Sequence, residues 1–66
     1  MIQPQDRIRI LLLRGDDFLK SDQPERLPHA LDAFEEAAEV AKDPAVEPRL
    51  RQRVERRLET ARLLVN

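Results

Sequence analysis

The sequence predicts an all-α domain, a three-helix bundle, and three observations predict it. Apolar residues recur every three or four positions in three separate segments. The breaks between those segments carry Pro24, Pro28, Pro44 and Pro48. Only Arg7-Ile8-Arg9-Ile10 alternates as a strand would, and it lies inside a better helical match.

The first helix opens at Pro4, whose fixed φ and missing N–H suit a first turn, and Asp6 then sits near the positive end of the helix dipole. On a helical wheel, Ile8, Leu11, Leu12, Gly15, Phe18 and Leu19 fall within about 120° of one another, forming one apolar face. The spacing predicts a helix over 5–20.

Ser21-Asp22-Gln23-Pro24 is turn chemistry, and Pro28 follows. The second helix therefore begins either at Pro24, with a distorted first turn, or at Pro28, and its body runs over 28–42. Leu27, Ala30, Leu31, Phe34, Ala37, Ala38 and Ala41 share a face, while Asp32, Glu35, Glu36, Glu39 and Asp43 cluster opposite. Ala33 and Val40 widen the apolar arc to roughly half the circumference, more than one neighbour covers. This helix is expected at the centre, packed on two others.

Asp43-Pro44 reads as an N-cap and first-turn proline, yet Pro48 would then clash with the carbonyl four residues back. Either 45–47 form a separate turn or the third helix starts at Pro48, running over 48–64. Leu50, Val54, Leu58, Ala61 and Val65 make its narrow apolar stripe, flanked by arginines.

Gly15, the one glycine, costs about 1 kcal/mol in mid-helix relative to alanine, so a packing reason is expected. The alanines of the second helix offer one: a close approach of backbones at Ala30 or Ala37, with Phe18 and Phe34 beside the crossing. The expected core is Leu12, Gly15, Phe18, Leu31, Phe34, Ala37, Val54 and Leu58.

These residues resemble a known pattern. Leu11, Gly15 and Phe18 on the first helix, with Ala30, Phe34 and Ala37 on the second, look like the tetratricopeptide repeat over 11–44. The departures are a linker about three residues longer than the repeat's, Arg14 at a usual leucine position, and a late closing proline at Pro44. The third helix stands where a capping helix would follow. Its close, Leu58 to Leu64, is also similar to the Arg/Glu-rich last helix of microtubule-interacting and trafficking domains. Both resemblances imply binding of peptides or partner helices, not chemistry.

Composition narrows the function classes. A chain of 66 residues is one domain that buries only about 60% of its chain surface, so its stability margin is small. There is no cysteine and one histidine, His29, which removes thiolate zinc sites and His-rich clusters. No metal, cofactor or small-molecule substrate is expected. The longest apolar run, Ile10 to Leu13, falls far short of the roughly 20 residues of a membrane span, and Met1-Ile2-Gln3 does not open a signal peptide, pointing to the cytoplasm.

Net charge is −1, with no global pull toward nucleic acid or membrane, but the charges are segregated. Residues 1–21 carry four basic and three acidic groups, 22–43 two and seven, and 44–66 six and three. The acidic stripe Asp32, Glu35, Glu36, Glu39 points away from the core and reads as a solvated face, since di-iron helices using such carboxylates add histidines inside the bundle. On the third helix Arg49, Arg53, Arg56 and Arg57 line one side and suit carboxylates or phosphates. No aromatic stands beside them for stacking, and Glu47, Glu55 and Glu59 interrupt the patch. Pairing with the acidic second helix is the expected use, and nucleic-acid contact the alternative.

Catalysis finds no machinery: the hydroxyls are Ser21 in a turn and Thr60 in a helix, and His29 is expected at the surface. Arg14-Gly15-Asp16 spells an adhesion tripeptide but falls inside helical pattern. What lacks a home is apolar. Ile10 and Leu13 project nearly opposite Gly15, Ile2 is placed to join them, and Leu63 leaves the third helix's stripe. The sequence thus predicts a non-enzymatic interaction module, binding a protein partner or itself, with Ile10, Leu13, Arg49, Arg53, Arg56 and Arg57 as candidate contact residues.

Overall fold

A computed structural model describes residues 2–65. The chain is a three-helix bundle: α1 (Pro4–Lys20), α2 (Leu27–Val40) and α3 (Pro48–Val65), with one 3-10 turn at Pro24–Arg26 before α2. The predicted bounds hold to within two residues.

Both proline questions resolve by division of labour. Pro24 opens the 3-10 turn, and Pro28 lies in the first turn of α2, where a missing N–H removes no intrahelical bond. The turn before it is held by Gln23 N–H donating to Ser21 Oγ (3.2 Å) and by Arg26 Nε donating to Gln23 Oε1 (2.7 Å). At the second break Asp43 caps a turn, not a helix: its Oδ1 accepts from the Ala45 N–H at 2.9 Å, and Val46 N–H donates to Asp43 O at 3.0 Å. α3 then starts afresh at Pro48.

The bundle measures 35 × 22 × 14 Å between Cα extremes. Its 22 Å breadth is what helices about 8–10 Å apart require when three lie side by side. α1 and α3 both pack along α2 and meet each other over a much shorter length, so α2 is central as its wide apolar arc requires. α1 and α3 run the same way: Gln5 Nε2 donates to Ala45 O (2.9 Å) at one end, and Arg57 reaches Asp16 farther along (3.1 Å).

Ile8, Leu11 and Leu12 of α1, Ala30, Phe34 and Ala37 of α2, and Leu50, Val54, Leu58 and Ala61 of α3 form the core, joined by Ala41 and Val46 from the turn. Phe18 and Leu31, expected in the core, are only partly buried and pack on its margin. Val65 leaves the α3 stripe for solvent.

Gly15 is required by a different contact from the expected one. A Cβ there would stand 2.6 Å from Phe34 Cζ, and nearer still to Cε1, with no alanine among its nearest neighbours. The missing side chain makes room for the Phe34 ring, which is fully buried against α1. Small residue and large one are a pair across the α1–α2 seam.

Candidate interaction surfaces

Any surface for a partner must come from what the core leaves over. On α1, Ile10 is 50% and Leu13 63% exposed, although both lie mid-helix among buried neighbours. They share the outward stripe of α1 with Asp6 and Asp17, since 6, 10, 13 and 17 recur at helical spacing. Beside the stripe is a shallow cleft lined by Ile2, Arg7, Ile10, Leu11, Arg14 and Glu36. Ile2 does join Ile10 there.

The arginines of α3 divide into two groups. Arg57 Nη1 donates to Asp16 Oδ1 of α1 at 3.1 Å, both side chains partly shielded. Arg51 is used structurally, Nε donating to Ala41 O (2.9 Å) and Nη2 to Asp43 O and Val46 O (each 3.3 Å). It closes the C-cap carbonyl of α2 at Ala41 and two carbonyls of the turn that follows. Arg49, Arg53 and Arg56 are exposed and, among the described residues, have no hydrogen-bond or ion-pair partner.

The expected pairing of these arginines with the acids of α2 does not form. Glu36 pairs with Arg7 of α1 (3.2 Å), and Glu39 with Lys42 one turn on (3.1 Å). Asp32 and Glu35 stand free among the described residues. The reason is orientation: α3 turns Leu50, Val54 and Leu58 toward α2, which aims Arg49, Arg53 and Arg56 outward and away from it. No group of three His, Asp or Glu side chains converges among the described residues.

His29 is exposed and lies against the Phe18 ring, centroids 5.5 Å apart at 39°, which accounts for both side chains at the bundle's edge. Ser21 accepts its turn's hydrogen bond, and Thr60 is exposed on α3. Arg14-Gly15-Asp16 is helical with Gly15 buried, so the tripeptide presents no loop.

Val46 and Arg51 escaped sequence reading. Val46 is 2% exposed although it sits in a proline-bounded turn without periodicity. A single large apolar residue, beside Ala45 between Pro44 and Pro48, is the signal it leaves. Arg51 is legible only by asking which donor closes the last carbonyls of α2. Compared with protein-family models, curated proteins and solved structures, the chain matches none.

Proposed function

We propose that this chain is a non-enzymatic interaction module of the cytoplasm, tetratricopeptide-like in its α1–α2 hairpin, that self-associates through the outer face of α1. The observation that carries this reading is the exposure of Ile10 and Leu13, adjacent on one face at the middle of a helix whose other apolar residues are buried or partly so. Single surface apolars are ordinary, but a contiguous pair beside Ile2 gives a partner apolar area to cover. A core this small also gains from any surface buried by assembly.

The test is solution mass by light scattering over a concentration series, for the wild type and for Ile10→Lys/Leu13→Lys. The expected result is a wild-type mass that rises with concentration and a variant that stays at the mass of one chain. A wild type that remains single at every concentration contradicts self-association.

The free guanidinium groups of Arg49, Arg53 and Arg56 favour a second reading, contact with nucleic acid through α3. Titration of labelled single- and double-stranded oligonucleotides at low salt tests it. Affinity that falls steeply as salt is raised establishes the contact, and no binding ends it.

A further inference from the structure

We infer that self-association is head-to-tail: the outer edge of α1 in one copy docks on the outer edge of α3 in the next, building an open array. This rests on the self-association proposed above and names its geometry. The two edges are separate surfaces that both face away from α2, because α1 and α3 pack along it and each turns its apolar face inward, while α1 and α3 meet each other only through contacts such as Arg57 with Asp16.

The α1 edge reads Asp6, Ile10, Leu13, Asp17, two carboxylates bracketing two apolar residues, with Arg9 and Arg14 on its flanks; Arg9 Nη1 donates to Asp6 Oδ1 at 3.2 Å in an exposed pair, and Asp17 has no ion-pair partner among the described residues. A two-fold contact of this edge with itself is unfavourable. In the antiparallel register that sets Ile10 against the partner's Leu13, Asp6 faces the partner's Asp17, because each pair sums to the same index. In a parallel pair each Asp faces its own copy. Either two-fold puts like charges opposite one another in a contact being desolvated.

The α3 edge answers both features. Arg49, Arg53, Arg56 and Thr60 repeat the spacing of Asp6, Ile10, Leu13 and Asp17, and the three guanidinium groups have no partner within their own chain among the described residues. With α1 of a translated copy laid parallel to α3, Asp6 meets Arg49. Ile10 and Leu13 then lie along the methylene stems of Arg53 and Arg56, which cover apolar surface while their charged ends reach Asp17 and solvent. Separate edges that fit each other without a two-fold generate an open chain instead of a closed dimer.

Two edge-blocked variants test this at low salt. One is Ile10→Lys/Leu13→Lys, with its α3 edge intact, and the other is Arg49→Glu/Arg53→Glu/Arg56→Glu, with its α1 edge intact. The expected result by light scattering is that the wild type grows beyond two chains and each variant alone has the mass of one chain. Ile10→Lys/Leu13→Lys mixed in equal amounts with the charge-neutral Arg49→Gln/Arg53→Gln/Arg56→Gln chain, which offers the introduced lysines no carboxylates, should form a two-chain species that grows no further. Arg49→Gln/Arg53→Gln/Arg56→Gln, which removes charge without reversing it, should also fail to self-associate while keeping its helical circular dichroism. If either arginine variant still pairs with itself, the contact is α1 on α1 and the head-to-tail arrangement is wrong, though self-association stands. A wild type that stays single overturns both.

Discussion

The middle helix and the two outer helices treat their apolar residues differently. Every apolar side chain of α2 is buried or half-buried, from Leu27 to Val40. α1 leaves Ile10 and Leu13, and α3 leaves Leu63 and Leu64, at least half exposed. The three helices are similar in length, so position in the bundle makes the difference. A helix with a neighbour on each side uses a wide apolar arc, whereas an outer helix can bury only a narrow one. Stability therefore concentrates on α2 and its seams, and the apolar surface left to solvent lies on the outer helices.

Substitutions at the seam should produce the largest effects. Phe34→Ala empties the most crowded point of the core and should cost about 3–5 kcal/mol in urea or thermal unfolding, enough to unfold much of so small a domain. A melting curve like the wild type's would show that the seam does not carry the fold. Gly15→Ala isolates the same contact from the other side. On helix propensity alone alanine should gain about 1 kcal/mol, but its Cβ would collide with the Phe34 ring, so the net expectation is a loss of about 1–2 kcal/mol. In a Phe34→Leu background the same change should become neutral or stabilising, a coupling that a double-mutant cycle measures directly.

An intermediate effect belongs to the turn that ties α2 to α3. Arg51→Met keeps an unbranched apolar stem but removes the guanidinium that donates to the Ala41, Asp43 and Val46 carbonyls, and should cost about 1–2 kcal/mol in the same unfolding assay. The smallest effect is expected on the outer edge. Ile10→Lys/Leu13→Lys alters side chains at least half exposed and should shift the stability of the single chain by no more than about 0.5 kcal/mol.

The contrast between seam and edge also explains what could be read from the sequence. The central place of α2 follows from its arc of alanines, Leu31 and Phe34, since periodicity reports directly how many sides a helix must bury. The same periodicity marks Ile10 and Leu13 as outward, and they are. Gly15 was legible as a close contact but not its partner, because a missing Cβ shows that space is needed without showing which side chain fills it. The arginines of α3 were legible as a charged side, whereas their partners depend on how α3 is rotated about its axis. A few tens of degrees separate Arg57, which reaches Asp16, from Arg53, which reaches no partner among the described residues. Val46 and Arg51 lie outside periodic reasoning altogether, one in a turn and one bound to backbone carbonyls.

The most direct test of the division between seam and edge is thermal unfolding of the wild type and of Ile10→Lys/Leu13→Lys across a wide range of protein concentration. If assembly uses the edge and folding does not, the wild-type Tm rises with concentration, because assembly stabilises the folded chain by mass action. The variant's Tm should not change with concentration and should lie within roughly 4 °C of the wild type's dilute limit. A wild-type Tm that does not change with concentration, or a variant that melts lower at the dilute limit by more than the roughly 4 °C that about 0.5 kcal/mol allows, would contradict the account.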